Sequence, residues 1–230
     1  MKIFRAACCA LPLLPALLAA QGTVQSLRAV RTRQPILVDG RLDEAAWREA
    51  PAATGFTVQW PELGKPATLP TEVRILYDDR FLYVGARMHH DAALEGGRTQ
   101  VVQRLHRRDQ DSSSDWFGVY LDCLHDRRTA WAFLVNAAGV QRDLVYYSDT
   151  RGDSSWDAVW ESAVSVDEAG WTAELKIPLS VLRIQAGGGP QTWGVNFMRS
   201  DVGTFRETSY WEVAPRGVNA FVSLFPDLTG

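Results

Sequence analysis

The chain has 230 residues, 46% of them hydrophobic and 22% charged, with a formal net charge of −3. That length suits one large β domain better than two small ones and is enough to bury a core without covalent staples. The chain is slightly acidic, and its only short basic runs are Arg107-Arg108 and Arg127-Arg128. Both facts argue against a nucleic-acid partner.

The first segment stands apart. Lys2 and Arg5 precede an apolar run from Ala6 to Ala20 that ends in small residues, the pattern of a secretory signal peptide. The run is too short, and too broken by Pro12 and Pro15, to span a bilayer. Cleavage is expected after Ala20 or Gly22. Loss of Lys2 and Arg5 moves the charge from −3 to −5. Of the three cysteines, Cys8 and Cys9 leave with this segment, so Cys123 has no partner for an internal disulfide. Export without disulfides points to the periplasm, the cell envelope or the extracellular space of a bacterium. No later stretch is long and apolar enough to cross a membrane as a helix. The expected organisation is a signal peptide over 1–20, a flexible leader over 21–34 and one domain over 35–230.

The domain opens with "ILVDGRLDEAAWREAP". Asp39-Gly40 is a turn dipeptide, Asp43 is placed to cap a short helix, and Pro51 ends it. Trp47 is expected to anchor that helix to the core. "TEVRILYDDRFLYVGARMHH" alternates as a hairpin around Asp79-Arg80. "DWFGVYLDC" and "TAWAFLVNAAG" form a second apolar pair, and "VQRDLVYY" continues the series. After the loop "RGDSS" come "AVWESAVSVD", "GWTAELKIPLSVL", "TWGVNFMRSD", "ETSYWEVA" and "AFVSLF". About ten strands with short connections and no βαβ repeat predict an all-β, antiparallel β-sandwich with one or two short helices.

Sequence motifs for common hydrolases, zinc proteases, redox thiols and dinucleotide binding are absent. No carboxylate pair announces itself as catalytic, so no catalytic residue is assigned. Acidic loops offer hard oxygen ligands suited to a structural calcium ion. The carboxylates on offer are Asp109, Asp111 and Asp115 around the serines of "DQDSSSDW", with Asp153 and Asp157 in "RGDSSWDAVW"; all but Asp109 are taken as candidate ligands. The nine tryptophans are the strongest chemical signal, because a flat π surface can stack on the C–H face of a sugar. Trp47, Trp116, Trp131, Trp171 and Trp193 sit in apolar surroundings and read as core. Trp60, Trp156 and Trp211 read as surface candidates. The Arg-Gly-Asp tripeptide at 151–153 is taken as a turn, not an adhesion signal.

The segments "ILVDGRLDEAAWREA", "TEVRILYDDRFLYVGARMHHD", "DSSSDWFGVYLD", "GWTAELKIPLSVL" and "WGVNFMRSD", in that order, resemble the carbohydrate-binding module family 9-like domain over about Ile36 to Gly230. "FLVNAAGVQRD", "SSWDAVWES" and "IPLSVLRI" resemble a bacterial subtype of it. In that subtype a large domain of unknown function, thought to be a β-barrel, follows the module; it is missing from this chain. The resemblance implies a β-sandwich, structural calcium, and a site that holds glucose or cellobiose ends between two tryptophans. The first falls on Tyr77 here and the second on Trp211, while the acidic loop falls on Asp111 and Asp115. Family modules occur on xylanases, which implies association with hydrolases and carbohydrate catabolism. Three readings follow. One is an exported, non-catalytic module for a polysaccharide or oligosaccharide. The second is a structural or interaction domain docking to an outer-membrane barrel, with no sugar ligand. The third is a glycosidase acting on O-glycosyl bonds.

Overall fold

Residues 25–91, 101–184 and 189–230 are described by a computed structural model; the signal segment read over 1–20 lies outside them. Strands run β1 Ser26–Arg28, β2 Val30–Arg31, β3 Thr57–Trp60, β4 Thr71–Tyr77, β5 Phe81–His89, β6 Trp116–Asp122 and β7 Ala130–Asn136. They continue with β8 Gln141–Tyr147, β9 Arg151–Asp153, β10 Glu161–Asp167, β11 Gly170–Pro178, β12 Thr192–Asp201, β13 Glu207–Tyr210 and β14 Asp227–Thr229. One α-helix, α1, spans Ala45–Glu49. One sheet has the order β1-β14-β12-β6-β7-β8-β9, with β13 bridging β12 to β3; the other has the order β10-β11-β5-β4-β2.

The sandwich expected from alternation is present. Phe117, Val119 and Leu121 of β6, Trp131, Phe133 and Val135 of β7, and Val195 and Phe197 of β12 enter one buried cluster. Val73 and Ile75 of β4, Val84 and Ala86 of β5, and Trp171, Ala173, Leu175 and Ile177 of β11 enter it from the opposite sheet. Each strand spends every second residue on this interior, because successive side chains leave a strand on opposite faces.

The structure corrects four local expectations. The segment expected to be a flexible leader carries β1 and β2 in its described part. Both pair parallel, β1 with β14 and β2 with β4, so the sheets are mixed rather than wholly antiparallel. Thr32 donates from its backbone to Tyr77 O at 2.8 Å, which extends the tie. Such short strands escape detection because their order comes from partners distant in sequence, as in Ser26 with Asp227 and Val30 with Leu76, not from their own pattern. The N-cap of α1 is Glu44, without a side-chain cap; the Asp43 carbonyl instead accepts from Arg48. "AFVSLF" forms a 3₁₀ turn over Val222–Leu224, and the strand follows it as β14. The Arg-Gly-Asp stretch is the short edge strand β9, paired with β8.

The "VDG" turn and α1 cover the outer face of the second sheet. Trp47 is buried there with Ile36, Leu76 and Tyr83. It lies on Gly85, where a Cβ would come within 2.6 Å of Leu42 Cδ2 and 2.9 Å of the Trp47 ring. Gly85 therefore makes room for the indole. Gly40 has φ +87°, and a Cβ there would lie 2.7 Å from the Val164 carbonyl carbon, so the turn needs glycine on both counts. One buried carboxyl fastens it: Glu174 Oε2 accepts from the backbone N–H of Asp39 at 3.0 Å and Gly40 at 2.8 Å. Burial outweighs those bonds and raises the Glu174 pKa to about 7.

This shift fixes a sign. The folded chain retains a proton on Glu174 that the unfolded chain releases between its ordinary 4.5 and about 7. The stability linked to that proton is full below pH 4.5 and is lost as pH rises through 7. Glu174→Gln is expected to flatten the fall in urea midpoint measured between about pH 5 and about pH 8. A variant as pH-sensitive as the parent would show that Glu174 does not titrate in this way.

Candidate functional site

At one rim of the sandwich the two sheets part around a groove of about 460 Å³. Each sheet sends an inward-facing aromatic to it. Tyr77 closes β4, in phase with the buried Val73 and Ile75, and Trp193 opens β12, in phase with the buried Val195 and Phe197. Both are half-buried, packed on the core at one side and lining the groove at the other. Trp193 Nε1 donates to Gln191 Oε1 at 3.0 Å. Arg31, from β2, places its guanidinium carbon 5.9 Å from the Tyr77 ring centroid and pairs with Asp79. Leu82, Leu179, Ile184 and Leu228 add apolar wall. The groove thus combines aromatic and aliphatic surface with a few polar groups, the general make-up of a small-molecule site.

The other stacking candidates separate. Trp211, the expected partner of Tyr77, is 4% exposed, packs on Phe197 at 5.6 Å between centroids and donates Nε1 to Thr54 O at 3.1 Å. It is a core residue with no face to offer. The aromatic that shares the groove with Tyr77 is Trp193, which the sequence reading assigned to the core. Its signal was available: Trp193 is the first inward position of a strand entered from a Gly/Pro stretch, and such a position sits at a rim. Trp156 packs its edge against Phe133 and is half-buried, outside this groove. Trp60 is 58% exposed and lines a different groove.

The candidate calcium ligands do not converge either. Asp111 pairs with Arg142. Asp153 is exposed on β9 and accepts from the Ser155 backbone at 2.9 Å. Asp115 is buried, and its two oxygens accept from the backbone of Val202 at 2.9 Å and Val102 at 3.4 Å. Burial raises its pKa to about 7, with the Asp201 charge adding to the shift. These bonds identify Asp115 as a joint between the 101–102 segment and the end of β12. Only Asp157 joins an acidic cluster, with Asp109 and Asp143, whose ligand atoms lie within 4.8 Å of one another.

That cluster already contains a cation. Arg108 reaches Asp143 at 2.6 Å, Asp157 at 3.2 Å and Asp109 at 3.4 Å, and also donates to Ala158 O and Gln141 Oε1, both at 2.7 Å. A calcium ion needs six or more oxygens around it without a competing positive charge, so the cluster does not fit calcium while Arg108 stands in it. Arg108→Gln is expected to lower stability by about 1–3 kcal/mol, because it leaves the buried Asp143 unpaired. In that variant added calcium should raise the melting temperature, with little effect on the parent. Equal calcium responses in both proteins would disprove this account of the cluster.

Solved structures support the architecture. The chain is similar to a carbohydrate binding module family 9 domain from Caldicellulosiruptor kristjanssonii in complex with cellotriose. The identity is 16%, covering 89% of this chain and 93% of that one, with a TM-score of 0.62. A glucose complex of a family 9 module from the same organism matches at 14% identity, 89% and 95% coverage and a TM-score of 0.58. A protein from Bacteroides uniformis, provisionally named as carbohydrate-binding, matches at 13% identity, 89% and 98% coverage and a TM-score of 0.66. No curated protein matches the chain in sequence. Among the described residues no helix is long and apolar enough to cross a membrane. The model of the "Carbohydrate family 9 binding domain-like" family matches residues 38–222, and the chain belongs to that family.

Proposed function

We propose that this protein is a non-catalytic carbohydrate-binding module whose glycan enters the rim groove between Tyr77 and Trp193. The observation that carries the reading is the meeting of two half-buried aromatics, one from each sheet, in a groove with polar groups at hand. Aromatic faces suit the C–H surface of a pyranose, and Gln191 and Arg31 put polar groups beside it. Relatives of the fold hold cellotriose and glucose, so a β-glucan end is the first ligand to test. No Asp or Glu side chain is among the described residues lining the groove, which favours holding a sugar over cleaving one, since glycoside hydrolysis uses two carboxyls flanking the bond. The segment Ala6–Ala20 supports export of the module, and the family supports a place in carbohydrate breakdown beside hydrolases.

Cello-oligosaccharides, titrated into the protein, should produce a saturable change in tryptophan fluorescence. Tyr77→Ala and Trp193→Ala should each weaken binding by about tenfold or more, as loss of a central aromatic contact does. Trp211→Phe keeps the core volume nearly filled and should leave the affinity within about twofold. No saturable response to cello-oligosaccharides or to a broad glycan panel would overturn the proposal.

A further inference from the structure

The opposite end of β12 carries a second groove of about 470 Å³, with different chemistry. Eight residues separate Trp193 from Asp201 along the strand, which is about 26 Å at the rise of an extended chain. The wall here is Trp60, the last residue of β3, held beside β13 by pairing with Thr208. Its indole is 58% exposed, an unusual cost for so large an apolar group unless something covers it. Arg104 and Arg206, both exposed, line the same groove with Ser113, Ser200 and Thr208. Neither guanidinium is engaged by a salt bridge or side-chain hydrogen bond to another described residue, unlike Arg87, Arg108, Arg127 and Arg199. Asp201 also contributes to the wall, but its Oδ2 accepts from the Phe205 backbone at 2.7 Å and its Oδ1 is shielded from solvent. The lining thus carries two guanidinium groups, with no described salt-bridge partner, against one inward-turned carboxylate, while the buried Asp115 lies behind Val102 and Val202.

We propose that this groove binds an acidic saccharide, with a hexuronate ring stacked on Trp60 and its carboxylate held by Arg104 and Arg206. An aromatic plate suits the ring. A planar fork of N–H donors suits a carboxylate, which it can meet with two parallel hydrogen bonds. Ser113, Ser200 and Thr208 supply hydroxyls for the remaining sugar oxygens. The assignment is independent of the Tyr77–Trp193 groove and stands whether or not that groove holds a neutral glycan.

The test is calorimetric titration of the whole protein with trigalacturonic acid in EDTA, beside cellotriose as a neutral control and a sulfated disaccharide as a second anion. Trigalacturonate should bind saturably and lose affinity as salt rises from about 50 mM to about 500 mM. Trp60→Ala, and the double variant Arg104→Gln with Arg206→Gln, should each weaken it by about tenfold or more. These side chains are exposed, so unchanged melting temperatures will confirm that the variants fold. Absence of saturable binding would overturn the proposal, as would binding that survives in Trp60→Ala but is lost in Tyr77→Ala. A preference for the sulfated disaccharide would overturn the carboxylate assignment.

Discussion

The two-residue period of β12 governs the molecule. Its odd positions face the interior from Trp193 to Asp201, through Val195 and Phe197, and they change character along the strand. The apolar middle fuses the two sheets. Near the far end Arg199 is buried and donates to Pro70 O and His89 O, both at 2.9 Å, so a cation bonded to backbone carbonyls of the facing sheet does what a hydrophobic contact does in the middle. Slippage by one residue would turn Trp193, Phe197 and Arg199 outward together. The rim aromatic and the two-sheet core are therefore one commitment of the chain.

The N-terminal segment completes the near rim. Within six residues it passes from one sheet to the other, β1 beside β14 and β2 beside β4. Ala29, at the crossing, and Arg31, on β2, both line the groove. A crossing strand pair at a sandwich end leaves a gap as wide as the separation of the sheets, about 10 Å. Tyr77 and Trp193 half-fill that gap. A fully closed rim would remove the groove, and an open one would expose the core to water. Two half-buried aromatics meet both demands, since one part of each ring packs inward while the rest remains available.

Strand positions and fold class were legible in the sequence because most strands alternate strongly and are bounded by turn residues. Trp47 and the "VDG" turn were legible for the same reason. What escaped depends on distant partners. β1 and β2 have too few residues to show a period, and β14 follows a 3₁₀ turn whose apolar content imitates a strand. Of the two aromatics that line the candidate groove, the sequence reading named one as a stacking residue. Tyr77 was named because the family resemblance places its first stacking residue just before the hairpin turn. Trp211 was chosen for its place late in the chain, yet its indole N–H finds the Thr54 carbonyl in a segment 157 residues away, a pairing no local pattern reveals. Trp193 does pack on the core, but its second role lining the groove was not legible, because apolar neighbours look the same at the middle of a sandwich and at its rim. Among the aspartates, sequence shows acidity but not the arginine that answers it. Arg142 pairs with Asp111, and Arg108 pairs with Asp157 and with Asp143.

Perturbed carboxyls commonly mark catalytic sites, and here two carboxyls reach a pKa of about 7, Asp115 and Glu174. Neither lines the Tyr77–Trp193 groove. Each accepts backbone N–H groups from a loop that must lie flat on a sheet: Glu174 holds the 39–40 turn over β11, and Asp115 holds 102 and 202 beside β6. A neutral amide in their place could accept as well, but its NH2 would need an acceptor in a space built for acceptor oxygens. A carboxyl can instead supply two lone-pair oxygens and adjust its proton to the surroundings. Their raised pKa values therefore follow from loop anchoring in a dry interior, and Asp115 in doing so also holds Val102 and Val202 in the wall of the Trp60 groove. The perturbed acids thus serve the architecture, and the side chains that line the grooves include aromatics, arginines and uncharged polar groups.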